Sequence, residues 1–588
     1  MVDMAGDTCS FETILGLNME QSELVTKSGE TVKIEEPKKE MISVTTEEMI
    51  VRILINYRFV LIGIVVFLVF VKILCRLRRI IHERDVDPVP YTCLYIDATF
   101  EDFKCVMSSC RENYRRSCEG TSKRRETLFN EIQEAWTKAS SQLVITCLSI
   151  KTGLDLFLRV QKYPPNSEII MTAINTPDVA RIIVHHGLKV VPIDINRHTL
   201  SAHPGTLGRL INEQTVAIWF THLYGNMADL NDAIDLAHSH GIHVLEDCSQ
   251  CYGGPDSEGN PESDLVFYDF DVIRACTAFG GAVIKVKDNI LFNNMRRLHD
   301  SYPVQREWEY FKLALKTFTV GTMLRRKLAI RFTTYIGGLF GTDIMADVKT
   351  FLTTERSKVL IRKLREQPPT SLLQLLANRF TNFDPQDLSE SKTVCEYVCE
   401  RLPPTAGQIG TKTKRRGFWL FPILVDDPDE VIKHLNKLGV NATKSVVNLQ
   451  VIAHNQAEIP YDEHVAQEPL LFGLNYTEYP PDESRDILDH VIYLPVHKHV
   501  TQYYLDEICL AVEIVLNKLA ILKKYKSSLT IHGPYGPILH RPAKNGAKRK
   551  TVSFSPTVKV RSTVPKNQQQ AESHRSPSQA YYVGRGDS

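Results

Sequence analysis

The central part of the sequence predicts an α/β fold built on a mostly parallel sheet. Short apolar runs rich in β-branched residues alternate with helical stretches such as Asp229 to His240. Four of these runs are Glu168–Met171, Lys189–Asp194, Thr215–Phe220 and His243–Asp247. Strands that helices cover on both faces read as continuous apolar runs, which is the pattern seen here. With 588 residues, 43% of them hydrophobic, the chain can bury one large core and still carry appendages.

The residues that precede this part predict a membrane anchor. The run from Phe59 to Val71 is uninterrupted apolar sequence, and the apolar character extends over residues 49–75 with three basic residues intruding towards its ends. We predict a transmembrane helix over 49–75, because basic side chains near the ends of a span can reach the headgroups. A monotopic anchor and a buried core helix are the alternatives. Residues 1–48 have low hydrophobicity and mixed charge, and we expect them to be disordered.

The charges on either side of the predicted span set its orientation. Glu47 and Glu48 precede it, and the basic residues that follow it are Arg76, Arg78, Arg79 and Arg84. Clustered basic residues stay on the cytosolic side of a membrane. We therefore expect a single-pass membrane protein whose N-terminus is lumenal or extracellular and whose main domain is cytosolic.

Composition divides the rest of the chain into five segments. We expect a helical connector over 76–141, a large α/β domain over 142–304, an amphipathic insertion over 305–367, the remainder of the globular part over 368–524, and a disordered tail over 525–588. In the insertion, aromatic residues such as Trp308 and Phe311 alternate with Lys312 and Lys316. Two interpretations stay open for it: an interfacial membrane surface, or an ordinary amphipathic helical pair on the domain.

Charge and cysteine content narrow the classes of partner. The formal net charge is +1, so no global field attracts a polyanion and we expect no nucleic-acid partner. The thirteen cysteines lack the short spacings of secreted disulfide frameworks, which favours reduced thiols. We predict no metal site.

Three blocks between Thr221 and Gly281 are the most specific signal in the chain. They are Thr221–Gly225, His243–Gln250 and Tyr268–Gly281. In order and spacing these blocks resemble the DegT/StrS family of pyridoxal-phosphate (PLP)-dependent sugar aminotransferases, and the resemblance covers roughly 142–300 and 368–520. It implies the type I aminotransferase arrangement, with a large PLP-transferase domain and a smaller C-terminal α+β domain. It also implies a homodimer, because the family's sites form between two subunits.

The resemblance implies a cofactor site at individual positions. Asp247 corresponds to the aspartate that pairs with the pyridine nitrogen, and Gln250 to the residue packed beside the ring. Thr152 and Gly153 lie where the family has the turn that opens a helix and holds the phosphate. A structural alternative stays open for Asp247, in which it caps a helix or pairs with Arg274.

Three positions depart from the family pattern. Arg274 stands in place of the Schiff-base lysine, Asp269 in place of a phosphate-contacting serine, and Thr176 in place of the aromatic residue that stacks on the ring. A guanidinium stays protonated and cannot form an imine, and a carboxylate repels a phosphate. We therefore expect no catalytic residue and no bound cofactor, and interpret the chain as an inactive binding or scaffolding homologue. The alternative is a divergent PLP-dependent aminotransferase or dehydratase that acts on a nucleotide-sugar or amino substrate.

The C-terminal tail carries one candidate partner motif. Lys550, Val552 and Phe554 have the spacing of the short docking motif found in partners of protein phosphatase-1. An extended peptide with alternate apolar side chains can add to the edge of a sheet. The sequence therefore predicts a phosphatase-docking segment in the tail.

Overall fold

The computed structural model describes residues 91–115, 118–137, 143–255, 259–326, 361–444, 446, 448–453, 472–473 and 475–531. Within these ranges, no helix combines the length and the apolar composition that a bilayer span needs. Outside them lie the predicted transmembrane segment, the predicted disordered segment 1–48, the part of the predicted disordered tail (525–588) that begins at residue 532, and the docking motif at Lys550, Val552 and Phe554.

The described part of the chain is rich in helices. They are α1 (Phe100–Arg115), α2 (Cys118–Thr137), α3 (Ile150–Gln161), α4 (Pro177–His185), α5 (Pro204–Leu210), α6 (Asn231–Ser239), α7 (Asn289–Asp300), α8 (Glu307–Arg325), α9 (Ile361–Leu364), α10 (Thr370–Thr381), α11 (Pro385–Arg401), α12 (Pro428–Lys437), α13 (Asp482–His490) and α14 (Gln502–Ile531). A 3₁₀ turn spans Asn475–Glu478. The last helix continues into the first residues of the segment that the sequence assigned to the tail.

The central sheet is mostly parallel, as the sequence predicts. The strands are β1 (Leu143–Cys147), β2 (Glu168–Thr172), β3 (Ile174–Asn175), β4 (Lys189–Ile193), β5 (Thr215–Thr221), β6 (His243–Asp247), β7 (Leu265–Asp269), β8 (Ala282–Val286), β9 (Gly407–Gln408), β10 (Phe421–Leu424), β11 (Gln450–Val451) and β12 (Val491–Leu494). Seven of them form the order β1-β8-β7-β6-β5-β2-β4. The pairs from β7 through β6, β5 and β2 to β4 are parallel, and β8 runs antiparallel to both of its neighbours.

Helices cover both faces of this sheet, which explains why its strands read as continuous apolar runs. On one face, α3, α4 and α7 pack against strand residues such as Ile169 and Phe267. On the other face, α5 and α6 cover the half that contains Ile170. The remaining half of that face, with Tyr268, packs against α2, α10 and α8. A smaller three-stranded antiparallel sheet, β12-β10-β9, packs with α11, α12 and α14 around a core of its own.

The helices of the expected connector belong to the globular domain. On α2, Leu128, Ile132 and Trp136 are fully buried, and the Trp136 ring lies 4.9 Å from the Tyr268 ring of β7. These residues recur every fourth position, so they form one apolar face on a helix that carries several charged residues at its other positions. The charged run Lys123–Glu126 dominates the local composition, so the apolar face of α2 was not recognised from the sequence.

The described parts of the amphipathic insertion are residues 305–326, which contain α8, and residues 361–367, which contain the short α9. The inner face of α8 buries Tyr310, Ala314, Thr317 and Gly321 against the domain. The Tyr310 hydroxyl donates to the Ala278 carbonyl at 2.8 Å, which ties the helix to the loop before β8. The inner side of α8 thus packs against the domain, like that of an ordinary amphipathic helix.

Candidate functional site

The parallel strands of the central sheet end at one edge, and polar side chains collect there. β2, β5, β6 and β7 end at Thr172, Thr221, Asp247 and Asp269. The carboxyl edge of such a sheet is the usual place for a ligand in α/β folds. The positions that the family resemblance singles out therefore converge because of strand topology.

A buried hydrogen-bond network links the middle strands at this edge. The Thr221 hydroxyl oxygen accepts from Asn175 Nδ2 at 2.8 Å and from Trp219 Nε1 at 2.9 Å, and the hydroxyl donates to Asp247 Oδ2 at 3.5 Å. The other Asp247 oxygen accepts the Ser249 N–H at 2.9 Å. Burial raises the pKa of the Asp247 carboxyl, against opposing contributions from the Ser249 hydrogen bonds and the positive charge of Arg274.

Arg274 forms its ion pair with Asp269. Its Nε lies 3.1 Å from Asp269 Oδ2, and the two side chains are only 17% and 9% exposed. The guanidinium carbon also lies 4.9 Å from the centre of the Trp419 ring, within the range of a cation–π interaction. Of the two structural alternatives for Asp247, the contact with Arg274 is not the one found, because Arg274 is engaged by Asp269 and Trp419.

The segment that precedes β10 of the smaller sheet brings Trp419 to this edge. We call residues 410–419 the strap. The Trp419 N–H donates to the Tyr224 carbonyl at 3.1 Å, and Arg415 forms a backbone bridge with Met227. Gly225 has φ +94°, and a Cβ built there would lie 2.5 Å from the Trp419 nitrogen. Glycine is required at 225 both for its backbone conformation and for the close approach of the strap.

Gln250 supports the turn under the strap. Its Oε1 accepts the N–H of Tyr224 at 2.8 Å, and the side chain is 7% exposed. Tyr224 itself has φ +61°, a conformation that non-glycine residues adopt at an energetic cost. The residue that the resemblance places beside the cofactor ring thus holds a strained turn that receives Trp419.

The turn that the resemblance assigns to phosphate binding caps α3. The Ser149 hydroxyl oxygen accepts the Thr152 N–H at 3.3 Å. At Gly153 a Cβ would lie 2.6 Å from Ile284 Cδ1, so the glycine is explained by packing of α3 on the sheet. Lys151 pairs with Asp178 at the start of α4. Ser149 therefore already satisfies one of the backbone donors that a phosphate at this helix terminus would use.

At the position of the ring-stacking aromatic, Thr176 is the N-cap residue of α4. Its backbone N–H donates to Asn175 Oδ1 at 2.8 Å. Asn175 in turn donates to Thr221, so this strand end is tied into the hydrogen-bond network of Asp247. No flat ring is supplied by this residue.

Sequence reasoning missed two features of the site. Trp419 lies in the strand-like run of the C-terminal half, and nothing local indicates that its ring contacts Arg274. Cys248 directly follows Asp247, two residues separate it from Cys251, and both cysteines are buried. The Cys251 thiol lies 3.6 Å from the Cys248 carbonyl oxygen. Their Cys-x-x-Cys spacing was a readable signal for an additional thiol pair beside the site.

A histidine, a glutamate and a cysteine lie together behind the edge. Among the residues that the structure describes, His222, Glu246 and Cys248 have donor atoms within 4.8 Å of one another. His222 Nδ1 accepts the Ala228 N–H at 3.1 Å, so its proton lies on Nε2, which donates to Glu246 Oε1 at 2.8 Å. A metal-bound imidazole would instead donate from its second nitrogen. The hydrogen bonds therefore suit a structural pair, in which Glu246 also accepts the Ser263 hydroxyl at 2.8 Å.

Residues 120–324 match the family described as DegT/DnrJ/EryC1/StrS aminotransferase. The chain carries a domain of this family. The match begins within α2, in agreement with the burial of that helix in the core. The family predicted from the three sequence blocks is thereby confirmed.

Curated relatives match part of the chain. It is 31% identical over 165 residues to a pleiotropic regulatory protein of Geobacillus stearothermophilus, and the aligned stretch covers 27% of this chain and 44% of that protein. It is 26% identical over 168 residues to the GDP-perosamine synthase of Caulobacter vibrioides, and this aligned stretch covers 28% of the present chain and 45% of the synthase. The chain thus spans less than half the length of these relatives.

Solved structures share the fold over a longer stretch. The aminotransferase TlmJ from Streptoalloteichus hindustanus superposes with a TM-score of 0.51 at 15% identity, over 73% of this chain and 99% of TlmJ. The GDP-4-keto-6-deoxy-D-mannose-3-dehydratase of E. coli, solved with bound hydrated PLP, gives a TM-score of 0.52 at 12% identity. That superposition covers 72% of this chain and 100% of the dehydratase. At these identities the likeness establishes the α/β aminotransferase fold.

Proposed function

We propose that this chain is a membrane-anchored member of the family whose aminotransferase fold serves binding or scaffolding instead of transamination. One observation carries the proposal: Arg274, at the position of the Schiff-base lysine, is held by Asp269 and Trp419. The reactive position is thus filled by a permanently charged group with two partners.

The chemistry of this group opposes covalent PLP chemistry. A lysine amine forms an imine because it can lose its proton, and the same amine then moves the substrate's α-proton. The Arg274 guanidinium keeps its proton at any physiological pH and delocalises its nitrogen lone pairs. The residues at this position therefore do not fit a covalently held PLP.

Two further features of the edge oppose the bound cofactor. Asp269 places a carboxylate where a phosphate would need a donor, and its charge already neutralises Arg274. Thr176, at the position of the ring-stacking aromatic residue, is the N-cap of α4 and offers no flat ring. We infer that a ligand of this cleft is recognised without PLP and that a phosphorylated or nucleotide-sugar-like molecule is its chemical class.

The remaining parts of the proposal rest on sequence. The apolar segment 49–75 would anchor the chain, the basic residues after it would keep the main domain cytosolic, and the tail motif around Val552 would recruit protein phosphatase-1. A homodimer is the arrangement that the family resemblance supports. These features together describe a cytosol-facing scaffold on a membrane.

The test is trapping of PLP on the full chain purified in detergent. We expect no imine absorbance after addition of PLP and no borohydride-stable adduct by peptide mass spectrometry. Transamination of nucleotide-ketosugars with glutamate should be absent in the same preparation. An adduct on a cleft lysine, for example Lys151 released from Asp178, would overturn the proposal and establish the rival function, a divergent PLP enzyme acting on a nucleotide-sugar or amino substrate.

A further inference from the structure

Helices α1 and α8 form an antiparallel pair on the outside of the domain. The Phe103 ring of α1 stacks on Phe318 of α8 at 4.8 Å and lies 6.0 Å from Phe311. Towards the other end of the pair, Asn113 Nδ2 donates to Glu307 Oε1 at 3.1 Å. The end of α1 therefore lies beside the start of α8, and an aromatic seam runs between the two helices.

Each helix of the pair exposes a row of large apolar side chains. On α1 these are Phe100, Met107 and Tyr114, which are 62%, 46% and 93% exposed. On α8 they are Trp308, Leu315 and Met323, which are 60%, 43% and 46% exposed. A spacing of seven residues returns to within about 20° of the same side of a helix and a spacing of eight residues to within about 80°, so the members of each row share one half of the helix surface. An exposed stripe of this kind marks an interaction surface.

The two rows lie along the seam and form one surface, which we call the apolar strip. Phe100 contacts Phe318 across the seam, with 6.2 Å between their rings. Trp308 stacks on Phe311 at 5.5 Å. Met107 follows Phe103 by four residues, so its side chain lies one helical turn along from the seam. The exposed rows are thus continuous with the buried aromatic contacts.

The charges beside the apolar strip are basic. Taking about 100° per residue, Lys104 and Arg111 lie within about 60° of Met107 around α1, and Lys312 lies about 60° from Leu315 around α8. All three lysine and arginine side chains are exposed. Glu101 and Glu112 on α1 and Glu309 on α8 turn further away, by about 120° or more on the same geometry, although Glu101 still pairs with Lys104 at 3.3 Å. The other two acidic residues of the pair face inwards: Asp102 is buried, and Glu307 accepts hydrogen bonds from Asn113 and Ser371.

We propose that the apolar strip and its basic flank dock the domain onto the surface of an anionic bilayer. The inference rests on the membrane anchor of the proposed function and specifies how the domain sits on that membrane. Aromatic side chains beside lysine and arginine suit the headgroup region, where a ring enters the interface and a cation contacts lipid phosphate.

The anchor would keep the apolar strip close to the lipid. The predicted span ends at residue 75 and α1 begins at Phe100. Because Leu94, Ile96 and Ala98 are already buried in the domain, only residues 76–90 separate the predicted span from it, and a stretch of this length reaches at most about 50 Å. Such a tether raises the effective concentration of membrane at the strip, so that a modest apolar surface suffices for docking.

The test uses the full chain in proteoliposomes that contain phosphatidylserine and an alkyne-tagged phospholipid. A benzophenone amino acid replaces Met107 or Leu315, and in the control it replaces Ile290. Ile290 is a matched control because it is 73% exposed and belongs to α7, on the opposite face of the sheet. We expect lipid adducts at 107 and 315 to exceed those at 290 at least tenfold.

Charge reversal provides a second measurement. Lys104→Glu, Arg111→Glu and Lys312→Glu together should lower the adduct yield at Leu315 at least threefold in anionic vesicles and leave it unchanged in neutral ones. Because all three side chains are exposed, the variant should keep its fold, which thermal unfolding checks.

The outcomes separate this inference from the anchor on which it rests. Extraction of the wild-type chain by alkaline carbonate would overturn the anchor and the docking together. Retention in the membrane with no lipid adducts at 107 or 315 would overturn the docking alone. Adducts between two copies of the chain at these positions would also overturn it, since the strip would then be a dimer contact.

Discussion

At the scale of single residues, the site is defined by a substitution that has acquired partners. Arg274 and Asp269 both depart from the family pattern, and they contact each other at 3.1 Å. Each removes a function that PLP chemistry would need, and together they neutralise one another. Trp419 completes the arrangement from the strap. The departures therefore form one local structure, which is why repair at one position should not suffice.

We expect Arg274→Lys alone to leave the protein without PLP, because the new lysine would pair with Asp269 and the phosphate position would stay anionic. The triple variant with Asp269→Ser and Thr176→Tyr should gain measurable imine absorbance. Asp269→Ser alone is the control, since it offers a phosphate donor without an amine. Full PLP binding by the single lysine variant would show that positions 176 and 269 matter little.

Two buried histidines predict a loss of stability in mild acid. Burial lowers the pKa of His299 to about 4, with help from Arg125 and Arg296, and burial likewise lowers the pKa of His497 to about 4 beside His499. The unfolded chain binds these protons near pH 6.5, so it holds more protons than the folded chain between pH 6.5 and 4. The free energy of unfolding is therefore highest above about pH 6.5 and decreases as the pH is lowered towards 4, by about 3 kcal/mol for each histidine.

The check is urea unfolding of the full chain in detergent at pH values from 7 to 4.5. His299→Gln should reduce the pH dependence of the unfolding free energy, since one of the two proton-linked groups is removed. His240→Gln is the control, because this histidine is the exposed C-cap residue of α6. An equal slope in wild type and His299→Gln would contradict the assignment.

At the scale of elements, the strap is the structure that joins the two halves of the chain over the site. Its close approach depends on glycine on both sides. A Cβ at Gly417 would lie 2.3 Å from the Gly225 carbonyl oxygen, and one at Gly225 would meet the Trp419 nitrogen. Neither neighbour is the end of a flexible side chain, so the backbone itself would have to move.

Gly417→Ala should therefore displace the strap and destabilise the protein by about 1–3 kcal/mol, the usual cost of overpacking. Acrylamide quenching of tryptophan fluorescence should increase as Trp419 leaves Arg274, and the increase should vanish in a Trp419→Phe background. Gly205→Ala in α5 is the control, because a Cβ there meets nothing within 4 Å. Equal stability of the two alanine variants would rule out the close contact as a constraint.

At the scale of the whole molecule, the proposal places a large domain on the cytosolic face of a membrane. The basic cluster at Arg76–Arg84 opposes translocation of everything that follows it. The docking face on α1 and α8 and the phosphatase motif around Val552 both require this orientation.

In intact microsomes, we expect protease to remove a C-terminal tag and to spare about the first fifty residues, because of the basic flank. Glycosylation gives the independent readout. The sequons at Asn441 and Asn475 should stay unmodified, since the transferase acts in the lumen. Occupied glycans at either position would reverse the topology and exclude recruitment of a cytosolic phosphatase.

The tail motif gives a final prediction. Replacement of Val552 and Phe554 by alanine should abolish capture of the protein phosphatase-1 catalytic subunit by the full chain, because both apolar anchors of the extended peptide are lost. Ser588→Ala is a control beyond the motif and should leave capture intact. Equal capture by both variants would remove the phosphatase from the proposal.

Much of the fold could be read from the sequence, because its signals are local. The apolar runs of β2, β4, β5 and β6 show their burial directly, and the blocks that end at Asp247 and Asp269 lie at strand ends. Parallel strands bring their carboxyl ends to one edge, so the grouping of these residues follows from the order of elements. The N-terminal boundary of the large domain was harder to predict, since the apolar face of α2 lies among charged residues and only packing against Tyr268 reveals it.

The sequence by itself determined the fold class, the family and the absence of an amine at position 274, because each depends on residue identity and spacing. Only the tertiary structure decided the partners of Arg274. The sequence suggested Asp247 as a partner, whereas Asp269 forms the ion pair and Trp419 is remote in the chain. The choice depends on how far each strand extends and where the strap crosses the edge, which are long-range contacts without a local signal. The same holds for the apolar strip, whose two rows become one surface only when α1 and α8 pack together.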